Sequence, residues 1–323
     1  MRAIVVREFG PPGVLRVEEV EDPRPGEGEV VVRATAIPLL WVETMIRRGL
    51  APPGLELRPP FVPGGAVVGE VVAAGSGAGD GMVGREVLAR TAGGGGYAEL
   101  VVAPAATVTP LPDGLGRREA AALAYDGATA TALFERLAIG PGDRLLVVGA
   151  SGGLGIVSVQ LGLSRGARVV ATARDDAKLA RVRELGAHAV IDSDAAGWVA
   201  RARAALGGDG ATVVLDNVGG EAGEASFAAI APGGRFSAHG TPSGRFAAID
   251  PVEIERRGVT LTGIADLQLP PAERFRLGAR ALSEAAAGRI APIVGQTFPL
   301  EGAADAHAAI EARTVFGTTL LEP

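Results

Sequence analysis

The segment LLVVGASGGLGIVSVQLGLSRGARVVATAR, residues 145–174, begins with about twenty uncharged residues, a length that could cross a bilayer. Its six glycines, four of them inside GASGGLG, argue otherwise. Glycine in a helix interior costs up to ~1 kcal/mol relative to alanine, so a spanning helix is not built this way. The run parses instead as a buried strand over 145–148, a glycine turn, a helix over about 154–165 and a second apolar strand, ARVVATA. That is a βαβ unit with a turn shaped for a phosphate, and it commits this part of the chain to an α/β sheet.

With 323 residues the chain exceeds what one core usually supports, and two domains follow. An apolar share of 47% is ample for their cores. The net charge of −6 argues against an electrostatic grip on nucleic acid or on an anionic membrane, leaving small molecules as the expected partners. The opening MRAIVVREFG has too short an apolar run before Arg7 and Glu8 to be the core of a secretory signal, so a cytoplasmic protein is expected. Cysteine is absent, which removes disulfides, thiolate nucleophiles and cysteine zinc sites. His188, His239 and His307 are far apart with no paired spacing, and no metal site is expected.

Up to about residue 112, short alternating or apolar runs such as AIVVREF, EVVVRATAI, AVVGEVVAAG and AELVVAPA are broken by Pro and Gly clusters. This is the pattern of a β-rich domain, with one helix in WVETMIRRG. Strand and helix then alternate, from the helical run EAAALAYDGATATALFERL through RLLVVGA, RVVATA, HAVID, ATVVLDNVG and GRFSAHG to VTLTGI. Repeated βα units imply a parallel sheet covered on both faces. The remainder reads as helix, strand, helix and strand, able to complete either domain.

Ala150, Ser151, Gly152, Gly153, Leu154 and Gly155 spell AxGxxG, the dinucleotide fingerprint with alanine in the first glycine position. Here the chain must turn tightly, bring backbone N–H groups to a pyrophosphate and start a helix whose positive end faces it. An NAD site usually places Asp or Glu at the tip of the second strand for the ribose 2′-OH. This chain has Ala173 and Arg174 there, with Lys178 one turn into the next helix. Two cations suit a 2′-phosphate, so NADPH is the expected cofactor. Asp175 and Asp176 could pair with Arg174, but their ordinary role is to cap the helix AKLARVREL.

The segments GYAELVVAP, GATATALFERLAIGPGDRLLVVGASGGLG, KLARVRELGAHAVID, VVLDNVGG, GGRFSAHG and PLEGAADAHAAIEARTVFGTTLLEP together resemble the medium-chain dehydrogenase/reductase superfamily, in particular its zinc-free quinone oxidoreductase (zeta-crystallin-like) branch. The resemblance runs over essentially the whole chain. It implies an α/β protein: a GroES-like β-rich catalytic domain over 1–122, a Rossmann NADPH-binding domain with a doubly wound parallel sheet over 123–265, and a return to the catalytic domain over 266–323. In zinc-dependent relatives a catalytic cysteine falls near Leu40, the histidine of a GHE motif at Gly65 and a further ligand near Tyr125; none of these ligands is present. Relatives often carry Asn at Leu40, Asp at Glu43, Tyr at Met45 and Ala51, and Glu at Ala66. The replacements imply a bulkier or more apolar substrate than a simple quinone, or a different activity.

By the same resemblance, Thr129 and Asn217 lie along the nicotinamide and its ribose, and the backbone at Gly240, after SAH, borders the ring. Thr129 could equally be a helix hydroxyl bonded to its own backbone. For proton delivery the candidates are Tyr125, where zinc relatives keep a ligand, and His239, at the carboxyl edge of the sheet. Tyr125 could instead be a buried aromatic at a domain boundary, and His239 a solvated loop residue. Tyr97, in an alternating strand, reads as packing; His188 and His307 read as structural. Trp41, Met45, Ile46 and Leu50 make the cleft look apolar, although such a stripe is ordinarily core.

The leading expectation is an NADPH-dependent, zinc-independent oxidoreductase acting on a quinone or an α,β-unsaturated carbonyl. The alternatives are an enoyl or tailoring reductase, or a non-reducing enzyme, of a biosynthetic pathway, and a structural protein that binds NADPH without turnover. The β-branched stretch GVTLTGI at 258–264 reads as an edge strand, and a homodimer pairing near Val259 is expected.

Overall fold

Valine-rich runs punctuated by Gly and Pro make the first strands, because branched side chains pack well on a pleated surface. The structure, a computed structural model, describes residues 1–51, 57–79 and 81–323. These fall into two units: Met1–Tyr125 with Gly278–Ala286 and Pro292–Pro323, and Asp126–Leu277 with Ala287–Ala291. The first boundary thus lies after Tyr125 where the sequence suggested 122, and the second runs through a helix, leaving 271–277 with the second unit.

In the first unit, β1 (Arg2–Val6) and β2 (Leu15–Glu19) form an antiparallel ribbon. A larger sheet contains β3 (Glu29–Leu39), β4 (Ala66–Ala74), β5 (Glu86–Arg90), β6 (Leu100–Pro104) and β7 (Thr109–Pro110). Helix α1 (Trp41–Arg47) follows β3 directly. Ile4, Val30, Val32, Ile37, Val67 and Val87 are fully buried between these strands, each stabilising by about 1.5–3 kcal/mol relative to exposure. The run read as one helix is two, α2 (Arg117–Leu123) and α3 (Asp126–Arg136), and Tyr125 sits in the break.

The second unit is a six-stranded parallel sheet. Its strands are β8 (Arg144–Val148), β9 (Arg168–Ala173), β10 (Ala189–Asp192), β11 (Ala211–Asp216), β12 (Ile230–Ala238) and β13 (Thr260–Gly263). Between them run α4 (Gly153–Ser164), α5 (Asp176–Glu184), α6 (Trp198–Leu206), α7 (Gly220–Ser226) and α8 (Pro251–Arg257). The order β10-β9-β8-β11-β12-β13 reverses direction between β8 and β11, and such a switch point opens a crevice at the carboxyl ends of the strands. The long uncharged run is therefore β8 and α4. Among the described residues no helix is long and apolar enough to cross a membrane. β13 lies at the sheet edge, with Leu261 opposite Phe236.

After α9 (Pro271–Ala286), the strands β14 (Val294–Pro299) and β15 (Thr318–Glu322) flank α10 (Ala303–Glu311). β15 pairs antiparallel with β3, Leu320 opposite Pro38, so both strands complete the sheet of the first unit. This settles which unit the closing segment joins.

Candidate active site

The turn after β8 is shaped by its glycines. A Cβ on Gly155 would lie 2.5 Å from the carbonyl oxygen of Gly149, so only glycine lets α4 start this close to the strand end. Ala150 N–H donates to the Thr172 carbonyl at 2.8 Å, which ties the turn to β9. Gly152 is the N-cap of α4; no side chain caps it and the first turn has no acidic residue. A Cβ on Gly152 would meet nothing within 4 Å, so the backbone there faces open space. Ser151, Gly152, Gly153 and Leu154 thus form the lip of an uncapped helix start of the kind that receives a phosphate. The residues present fit a dinucleotide.

At the tip of β9 the guanidinium of Arg174 is exposed. Asp175 adopts a φ of +56° and caps α5, its Oδ1 accepting from Lys178 N–H at 2.9 Å, the role read from the sequence. Its Oδ2 also lies 3.7 Å from Lys178 Nζ, and Lys178 is only 8% exposed. The ammonium is therefore already engaged, and Arg174 is the more available cation for a 2′-phosphate.

At the carboxyl ends of β8, β11 and β12 a hydrogen-bonded chain fixes Asn217. Its Nδ2 donates to the Val148 carbonyl at 2.9 Å, and its Oδ1 lies 2.9 Å from His239 Nε2. Because Oδ1 can only accept, Nε2 carries the proton, and Nδ1 accepts from the Ser237 hydroxyl at 2.9 Å. His239 is not the solvated loop residue the sequence allowed: it is 8% exposed, and burial pushes its pKa down to about 4. Both ring nitrogens are thus bonded, and Nε2–H holds the Asn217 side chain. Gly240 is required by crowding, since a Cβ there would lie 2.0 Å from the Asn217 carbonyl carbon. Thr129 is half-buried on α3, where Thr131 is a hydroxyl bonded back to its own helix, to Gly127, at 2.8 Å. His188 accepts from Val169 N–H at 3.1 Å, a structural tie to β9 as expected.

In the first unit, Tyr125 is half-buried with the Arg90 guanidinium 4.7 Å from its ring centroid. Its hydroxyl lies 2.7 Å from where a Cβ on Gly65 would stand. Leu40 and Gly65 offer no side-chain donor to a metal, and among the described residues no His, Asp or Glu cluster could hold one. What meets there is the carboxyl of Glu43, 6% exposed, which accepts from Leu40 N–H at 2.9 Å, from the Gly65 backbone and from Tyr97. Burial pushes the Glu43 carboxyl up to about 7, partly offset by these donors.

Tyr97 is not in a strand and does more than pack. Its hydroxyl donates to Glu43 Oε2 at 2.7 Å and lies 3.1 Å from His307 Nε2. Sequence reasoning missed this grouping. The signal was a Glu, a Tyr and a His on apolar segments, but nothing local joins residues so far apart. Ile46 is buried, Leu50 is exposed and the Trp41 ring lies under the Arg313 guanidinium, so the apolar stripe is divided between core and surface.

Comparison with known proteins gives a consistent set of relatives. Residues 26–113 match the family model described as alcohol dehydrogenase GroES-like domain, and residues 153–279 the one described as zinc-binding dehydrogenase. The chain is 31% identical to a quinone oxidoreductase of Rattus norvegicus over 310 residues, 95% of this chain and 93% of that one. It is 30% identical to a 2-haloacrylate reductase of a Burkholderia species over 331 residues, 99% and 98% of the two chains. Among solved structures, Escherichia coli quinone oxidoreductase complexed with NADPH is similar with a TM-score of 0.91 at 27% identity, covering 100% of both chains.

Proposed function

The chain belongs to the quinone oxidoreductase branch of the medium-chain dehydrogenase/reductase superfamily, and we propose that it carries out an NADPH-dependent, zinc-independent reduction of a quinone or an α,β-unsaturated carbonyl. The observation that carries the cofactor reading is the uncapped start of α4, open at Gly152. Its backbone N–H groups hold a pyrophosphate, and Arg174, with a smaller share from Lys178, holds the 2′-phosphate. Asn217, with its amide fixed by His239, and Gly240 frame the nicotinamide side, and Thr129 borders the ribose. When bound, NADPH supplies the hydride. The protein's tasks are to orient the acceptor and, for an enone, to place a proton on the resulting enolate.

Tyr125 is the proton donor in this reading. His239 is less suited to that role, because it is buried and both of its ring nitrogens are bonded, to Ser237 and Asn217. The relative named 2-haloacrylate reductase supports the conjugated-substrate half of the proposal, and with it an enoyl or tailoring reductase as the second reading. Steady-state NADPH oxidation against quinones, enones and enoyl thioesters tests the assignment. Turnover of a quinone or enone supports it, preference for enoyl thioesters moves it to the second reading, and binding without turnover of any class refutes it in favour of a non-catalytic NADPH-binding protein.

The assembly belongs to the proposal too. Among the described residues β13 has a neighbour on one side only, and Leu261 on it and Ile264 just after it are exposed. A homodimer pairing these edges covers both features. Light scattering at micromolar concentration should give a dimer mass for wild type and a monomer mass for Leu261→Glu; a monomeric wild type contradicts it.

A further inference from the structure

Arg90 is the last residue of β5, and the backbone around it is firmly held. It stands opposite Ala66 in the pairing of β4 with β5. The next residue, Thr91, gives its N–H to the Gly65 carbonyl at 3.1 Å and its hydroxyl to the Gly64 carbonyl at 3.3 Å. The Thr107 hydroxyl donates to the Arg90 carbonyl at 2.7 Å. The end of β5 is therefore pinned to residues 64–66, the segment against which the Tyr125 hydroxyl lies.

From that fixed point the Arg90 side chain reaches the break between α2 and α3. Its Nη2 donates to the carbonyl of Ala124, the C-cap of α2, where a cation also meets the negative end of the helix. The guanidinium carbon stands 4.7 Å from the Tyr125 ring centroid. One side chain thus holds the backbone just before Tyr125 and the ring of Tyr125 itself. Of the ionisable groups around this phenol among the described residues, Glu43 on α1, Tyr97 and the following Asp126 are neutral or negative. Arg47, also on α1, is paired with Glu311 at 2.5 Å, and Arg117, Arg118 and Glu119 stand in the first turn of α2, away from Ala124. A negative charge formed on Tyr125 is opposed by its acidic neighbours and balanced by Arg90.

We propose that Arg90 is a positioning residue for Tyr125: it holds the phenol against Gly65 and stabilises the phenolate left when Tyr125 gives up its proton. A cation on the face of a neutral ring attracts it modestly, whereas the same cation beside a phenolate meets a full negative charge. Once the β-carbon of an enone has accepted the hydride, the phenol O–H breaks and its proton passes to the enolate. A saturated carbonyl compound and a phenolate result, and water returns a proton to the half-buried ring. Arg90 gives up no proton and acts through Tyr125. Its catalytic effect rests on the function proposed above; its pairing with the phenol does not.

Tyrosinate absorbance in the near ultraviolet reads the pair without any substrate, with circular dichroism following the fold at each pH. The chain has two tyrosines, and burial and Glu43 raise Tyr97 well above the ordinary range, so the first to ionise in the folded protein is Tyr125. That first step should be missing in Tyr125→Phe. Its midpoint should rise by about one pH unit or more in Arg90→Gln, which keeps a donor for the Ala124 carbonyl but not the charge. Arg90→Lys, which keeps the charge, should return it most of the way. Should Arg90→Gln fail to fold, Arg90→Met, with its apolar stem, takes its place. A midpoint unmoved without the charge, or moved equally in Arg90→Lys, overturns the proposal and leaves Arg90 a helix cap. The kinetic arm uses NADPH with an enone and with a naphthoquinone. In Arg90→Gln, enone kcat should fall about three- to tenfold relative to quinone kcat, and its decline at high pH should follow the displaced midpoint. A displaced midpoint with enone turnover that ignores it supports the pairing and overturns Tyr125 as the proton donor.

Discussion

His239 gives its Nε2–H to Oδ1 of Asn217 at 2.9 Å, so a buried neutral imidazole sets which way the amide faces. Glutamine places an N–H near the same point, whereas leucine does not. His239→Leu should lower kcat/KM for NADPH about ten- to a hundredfold, and His239→Gln should recover most of it. The pH profile of wild type should show no inflection from this ring near 6.5, because its pKa is held at about 4. The linkage has the same sign: the folded pKa lies below the unfolded one, so its stabilisation is present above about 6.5 and fades as pH falls through about 4. An inflection near 6.5 that disappears in His239→Gln contradicts the neutral role.

Arg174 is exposed while Lys178 already lies against Asp175. Arg174→Ala should therefore weaken NADPH by about ten- to a hundredfold and Lys178→Ala by less, with NADH nearly unchanged in both. Isothermal titration of both cofactors measures the split. Equal losses for NADPH and NADH would remove the 2′-phosphate assignment.

Tyr125→Phe keeps the ring against Arg90 and removes the hydroxyl over Gly65. Enone turnover should fall roughly ten- to a thousandfold with NADPH affinity unchanged, and quinone turnover should change far less. Full enone activity in this variant would leave proton delivery to solvent.

Glu43 also predicts a stability profile. Its folded pKa of about 7 lies above its ordinary 4.5, so its contribution is full below 4.5 and is lost as pH rises through about 7. Denaturant midpoints should decline over that window, and Glu43→Gln should flatten part of the decline. Part remains, because burial raises Asp126 to about 7 as well, with the same sign. An unchanged slope in Glu43→Gln would mean that the carboxyl titrates normally.

The cofactor half was legible because its physics is local. The turn at 149–155 lies between a strand and a helix within one short segment, and Asp175 caps the helix that follows it. The edge position of β13 was likewise readable from its place after the last βα unit. The break between α2 and α3 was not, since the apolar pattern continues through Ala124 and Tyr125 while the backbone does not. Nor were the roles of Tyr97 and His307, whose contact spans 210 residues, or of Glu43, 54 residues from Tyr97. A buried polar group looks like any other polar residue until the sheet and helices that desolvate it are assembled. His239 shows the same limit: its place at the strand end was readable, its burial was not.

Hydride transfer from NADPH to a conjugated acceptor leaves an isotopic trace in the product. The protein is incubated with NADPH carrying deuterium on the transferring face of C4 and either an enone or a quinone, and the product is analysed by mass spectrometry. Stoichiometric NADPH oxidation is expected with either acceptor, and one deuterium at the β-carbon of the reduced enone. Bound NADPH that is oxidised by neither acceptor, or reduced enone without deuterium, contradicts it.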